Sequence, residues 1–95
     1  NLQDLDKLLI GENVKEALEC DLKLEMAARA DLKAAIADSE SLSDYVSREL
    51  FETILESEEE HIDYLETQLD LITRIGIENY CQSQIGQSQI GAEDE

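Results

Sequence analysis

Two apolar stripes at helical spacing, each interrupted near its middle by metal-type side chains, restrict this chain more than anything else in it. The first runs Val14, Leu18, Leu22, Glu25, Ala28, Leu32 and Ile36, stepping by three and four residues as one face of a helix does. The second runs Val46, Leu50, Ile54, Glu58, His61, Leu65, Leu69 and Ile72 at the same period. Glu58 and His61 stand one turn apart and face the same way. An ionised carboxylate buried without a partner is too costly to persist, so both stripes ask for a cation, a paired base or a proton. Two carboxylates and an imidazole together suit a metal.

Helix punctuation divides the chain. Asn13 with Glu16 three residues on has the spacing of a capping box, and Ser41 with Asp44 repeats it. The sequence therefore predicts a helix over 13–38, a turn at Ser39, Glu40 and Ser41, and a second helix over 42–75 ended by Gly76. Residues 1–12 read as a connection arriving at Gly11, and 77–85 as a short helix. Residues 86–95, polar, glycine-containing and acidic at the end, read as a flexible tail. With that turn, Glu25 lies roughly 21 Å before it and Glu58 roughly 24 Å after it at 1.5 Å per residue. Antiparallel packing then sets the two carboxylates nearly side by side, with His61 about one turn higher.

Ninety-five residues allow one domain, and two helices of this length bury only one face each against the other. The chain is 42% hydrophobic with no Trp and no Pro, an aliphatic composition without a strand pattern or a proline-marked linker. An all-α fold follows. Acidic residues number 24 against 7 basic, a net charge of −17 that repels nucleic acid and anionic membrane and favours cationic partners. Much of that charge reads as solvated helix surface; the sharper reading is a field that concentrates metal cations. Cys20 and Cys81 form no Cys-x-x-Cys pair, so free thiols in a reducing compartment are expected rather than a zinc ribbon or a disulfide framework. No apolar run has the length of a membrane span and the start carries no signal core, so the expectation is a cytoplasmic protein with no membrane and no nucleic-acid partner.

A Glu on one helix and Glu-x-x-His on the next is half of a di-iron carboxylate site, in which four helices supply two of each. This chain holds one of each. Glu-x-x-His alone is a weak signal in an acidic helix; Glu25 on the facing stripe strengthens it. Two other readings stay open. Glu25, Glu58 and His61 could form a hydrogen-bonded cluster in a metal-free acidic hairpin with a structural or partner-binding role. A second copy, related by a twofold, could instead bring two ligand sets together.

Several segments carry a family resemblance: Asn1-Leu2-Gln3-Asp4-Leu5, Ile10-Gly11-Glu12, Asp21-Leu22-Lys23-Leu24-Glu25, Asp44-Tyr45-Val46-Ser47-Arg48, Glu58-Glu59-Glu60-His61-Ile62-Asp63-Tyr64-Leu65-Glu66-Thr67 and Gly76-Ile77-Glu78-Asn79-Tyr80. Together they resemble the C-terminal portion of the bacterioferritin family, from the crossover connection through the third and fourth helices to the short fifth; the tail after Ile85 departs. The resemblance implies a ferritin-like four-helix bundle, part of an iron-storage subunit of a hollow 24-subunit shell, in which a di-iron ferroxidase centre oxidises Fe(II) with dioxygen or peroxide. It implies Glu25 as a terminal carboxylate, Glu58 as a bridging carboxylate and His61 as the imidazole ligand of one iron. It places Asp63 and Asp70 on an acidic channel between subunits, and Asn79 and Gln82 around a fourfold pore. Their plain reading is exposed helix polars. The family's first two helices carry the remaining ligands and the methionine that holds haem b, and none of these matches a residue here. Met26 adjoins Glu25 on the wrong helix and reads as packing.

Overall fold

The structure, a computed structural model, describes the backbone over residues 2–94 and side chains over residues 11–85. Three helices account for it: α1 (Leu2–Ser41), α2 (Tyr45–Ile75) and α3 (Ile77–Asp94), with no strand among the described residues. The all-α expectation stands.

Helix ends differ from those read in the sequence, and local hydrogen bonding says why. α1 passes through Gly11 and Asn13, where a connection and a cap were expected. Gly11 is buried, and a Cβ there would stand 2.8 Å from Ile77 Cγ1, so the glycine admits a close neighbour rather than breaking the helix. At its other end α1 continues through Ser39 and Ser41, whose hydroxyls donate back to the carbonyls of Ala35 (2.9 Å) and Asp38 (2.7 Å) and so need no break. The turn comes at residues 42–44. Ser43 adopts φ 56°, its amide donates to the Glu40 carbonyl at 3.1 Å, and the Asp44 amide donates to the Ser39 carbonyl at 2.8 Å. That pair of bonds is a Schellman C-cap with serine in the left-handed position.

Asp44, not Ser41, then caps α2: its Oδ1 accepts from the Ser47 amide at 3.1 Å. Hydrogen bonds from Ser47 hold the Asp44 carboxyl below its ordinary value of 3.8. Arg48 spans the turn, donating to Glu40 Oε2 at 2.6 Å and lying over the Tyr45 ring, and the Glu40 carboxylate raises its pKa. α2 ends where expected, at Gly76 with φ 84°. α3 corrects the expectation of a short helix over 77–85 followed by a flexible tail over 86–95: helical backbone runs on to Asp94, because the glycines at 86 and 91 weaken a helix without breaking it as a proline would.

The chain forms two compact units, residues 1–19 with 67–95, and residues 20–66. In the first, Ile72 and Tyr80 are buried, and the Tyr80 hydroxyl donates to Gln68 Oε1 at 2.8 Å. In the second, Ile62 and Leu65 of α2 are buried, and full burial of such a side chain contributes about 1.5–3 kcal/mol. No described side chain in the protein falls below 2% exposure, so the hairpin has a thin core.

All seven members of the first stripe are half-buried, as their spacing implied. The second stripe divides in two. Glu58, Leu65, Leu69 and Ile72 turn inward, joined by Phe51, Leu55 and Ile62 from outside the stripe, whereas Val46 and Leu50 are 83% and 59% exposed and Ile54 and His61 are exposed with them. Each four-residue step overshoots a helical turn by about 40°, so three such steps set Val46 roughly 120° around the helix from Glu58.

Candidate metal centre

The position of the turn fixes which side chains meet. Counted from Ser41 and from Tyr45, Glu25 and His61 each stand about 24 Å along their helices, while Glu58 stands about 20 Å along. His61, rather than Glu58, is therefore level with Glu25, and its Nδ1 lies 3.3 Å from Glu25 Oε1. This corrects the arrangement expected from a turn at 39–41. The contact sits at the rim of the hairpin, with the His61 side chain 51% and the Glu25 side chain 23% exposed.

Glu58 occupies the next turn towards the loop and points into the hairpin. Its Oε2 is shut off from water and has no hydrogen-bond partner. Such an atom is rare in a folded protein and calls for a proton, a cation or another donor. On the opposite flank Arg29 Nη1 reaches Glu59 Oε2 at 3.4 Å, tying α1 to α2 one residue from Glu58 on each count. The sequence reading missed this tie. Levels recounted from the true turn bring Arg29 and Glu59 to nearly the same height, which is the signal that finds it.

Among the described residues no three His, Cys, Asp or Glu side chains converge closely enough to hold a metal ion. The hairpin brings Glu25 and His61 together and leaves Glu58 one turn away. Asp63, Asp70, Asn79 and Gln82 are all exposed and form no part of this cluster. Asp70 pairs with Arg74 at 2.9 Å, and the Asn79 amide donates to the Ile75 carbonyl at 2.8 Å. Cys20 is exposed, Cys81 is half-buried, and both are free. In the other unit a depression of about 400 Å³ is lined by Gly11, Glu12, Lys15, Ile72, Thr73 and Ile77, and holds none of the candidate ligands.

Residues 1–75 match the ferritin-like domain family. The chain belongs to the ferritin-like family. This ferritin-like chain is 55% identical to a bacterioferritin of Brucella melitensis over 82 residues, covering 86% of the chain and 51% of that relative. It is 49% identical to a bacterial ferritin of Pseudomonas aeruginosa over 81 residues, 84% of the chain and 53% of the relative. A bacterioferritin of Streptomyces coelicolor is 40% identical over 89 residues, 94% of the chain and 53% of the relative. The chain spans about half the length of the curated relatives it matches. No helix among its described residues is long and apolar enough to cross a membrane.

Proposed function

We propose that this ferritin-like chain serves iron storage and detoxification, carrying half of the ligand set of a di-iron ferroxidase within a larger, cytoplasmic, shell-forming assembly. The observation that carries the reading is the pairing of His61 with Glu25 at the hairpin rim beside a Glu58 oxygen that has neither water nor a hydrogen-bond partner. The bacterioferritin relatives and the ferritin-like family support it.

Donor chemistry fits the cargo. Carboxylate oxygens and one imidazole suit divalent first-row cations, and Fe(II) here is substrate rather than a resident group. Glu58 supplies an oxygen already free of water, so little hydration must be stripped from it when the cation arrives. Glu25 holds His61 by Nδ1 at the rim, where Nε2 or, after a small rotation, Nδ1 can reach an incoming ion. Each Fe(II) gives one electron to dioxygen or peroxide, and the negative ligands stabilise the Fe(III) formed. Three such side chains are too few for two ions, so the set requires ligands from elsewhere. The net charge of −17 draws cations towards the surface on which it opens.

Titration with Co(II), which reports its ligands by absorption and does not oxidise under these conditions, tests the assignment. Glu25→Ala, Glu58→Ala and His61→Ala should each weaken binding about tenfold or more, as loss of a ligand does, while Glu60→Ala on the exposed side leaves it within about twofold. His61→Ala should also alter the spectrum. Equal loss in Glu60→Ala would reduce the site to a diffuse acidic field and overturn the proposal.

A further inference from the structure

Arg29 brings a permanent positive charge close to the proposed ligands. It is half-buried on α1, beside Ala28 and four residues after Glu25. A guanidinium stays protonated at any working pH and carries a fork of N–H donors. One of them, on Nη1, reaches Glu59 Oε2 at 3.4 Å, a long contact for an ion pair.

Helix geometry puts both ligand carboxylates within range of the same guanidinium. Glu25 lies one turn earlier on α1, in the Glu-before-Arg order at i and i+4 that favours pairing. Counted from the turn, Arg29 stands about 18 Å along α1, with Glu58 about 20 Å and Glu59 about 21 Å along α2. Glu58 is therefore nearer to Arg29 in height than the carboxylate Arg29 meets. Ala28, level with Glu58 on the facing helix, sets no bulky side chain in the way, and no donor in this hairpin reaches Glu58 Oε2. Glu56, at a similar height, stands about 60° further out around α2 than Glu59.

We infer that Glu59 is a positioning residue: it holds Arg29 on the outer flank and so keeps a competing cation off Glu25 and Glu58. The inference rests on the ligand reading above and adds a residue that acts on those ligands through Arg29. Solvation selects the outer partner. At Glu59 both side chains keep part of their water, being 30% and 45% exposed, whereas a guanidinium pressed against Glu58 would give its water up. With Glu59 gone, the anions nearest to Arg29 are the ligands themselves. A guanidinium seated on a carboxylate occupies the lone pairs that a metal needs. If Arg29 held a ligand nine-tenths of the time, the competent fraction would fall to about one tenth and the apparent affinity about tenfold.

The test measures Co(II) affinity in the full-length protein, followed at the absorption that His61→Ala alters, for Glu59→Ala, Arg29→Gln and the double variant. An exposed tie of this kind contributes little to folding, so all three should keep their helical circular dichroism. Glu59→Ala should weaken binding about tenfold. Arg29→Gln should bind at least as well as the parent, and in its background Glu59→Ala should no longer weaken binding. Were the tie only a fastening between helices, Arg29→Gln would weaken binding as much as Glu59→Ala does, and that result overturns the inference. Were Glu59 only part of the acidic field, it would weaken binding equally in both backgrounds and Glu60→Ala would match it, which overturns the inference as well. Unchanged binding in Glu59→Ala, with Glu58→Ala still weak, overturns the inference and leaves the ligand assignment standing. Parent-like binding in Glu58→Ala overturns both.

Discussion

Glu58→Leu should stabilise the protein in the absence of metal, although it removes a proposed ligand. Glu58 Oε2 has no hydrogen-bond partner and no contact with water, and a buried polar atom in that state costs about 1–3 kcal/mol. Leucine is of similar length, has nearly the same helix propensity as glutamate, and removes the orphaned oxygen without opening a large cavity. The gain expected is therefore about 1–3 kcal/mol, and in a chain of 95 residues each kcal/mol moves Tm by about 4–8 °C. Urea unfolding followed by far-UV circular dichroism in the presence of a chelator measures it, with the midpoint rising and the slope unchanged. Glu60→Leu is the control, because it makes the same change in net charge at an exposed position and should shift stability by less than about 0.5 kcal/mol. If both variants gain alike, relief of the chain's negative charge is the cause and burial of Glu58 is not. If Glu58→Leu melts below the parent, the oxygen is satisfied after all and the argument built on it fails.

Two further predictions concern the turn. Ser43→Gly should raise Tm by a few degrees, because a left-handed backbone costs an L-residue about 1–2 kcal/mol and glycine's greater unfolded-state freedom returns only about half of that; a fall in Tm would refute the strain assigned to Ser43. Asp44 has its folded pKa depressed by Ser47, so the unfolded chain binds its proton first and the stability it contributes is present above about its ordinary 3.8 and lost as pH falls through the lower folded value. Asp44→Asn keeps a capping side chain and should flatten that acid limb of the stability curve; an unchanged limb would assign acid sensitivity to other carboxylates.

Helical class and the inward face of α1 were legible because they follow from period alone: Val14 to Ile36 repeat by threes and fours, and all seven are half-buried. Helix ends were less legible. Gly11 looked like a break because the side chain of Ile77, 66 residues on, cannot be seen as its neighbour in a linear string. Ser39 and Ser41 looked like a turn because serine hydroxyls serve caps and back-bonded helix interiors equally well. The split of the α2 stripe was hidden for a geometric reason: a run of four-residue steps looks continuous in sequence while it winds around the helix, carrying Val46 and Leu50 out into solvent. Glu25, Glu58 and His61 were picked out from residue type and spacing, but which of them touch depends on the loop, and the loop had been set three residues early.

That loop acts as a ruler for chemistry it never reaches. Residues 42–44 contain no candidate ligand, yet their number decides that α1 position 25 meets α2 position 61. Removing one residue there would slide the facing register by about 1.5 Å and swing every α2 side chain by roughly 100°, carrying His61 out of reach of Glu25. Ser43, held in a backbone conformation its side chain disfavours, keeps that count by letting the chain reverse in the fewest steps. Length, rather than composition, is what this stretch of the chain must preserve.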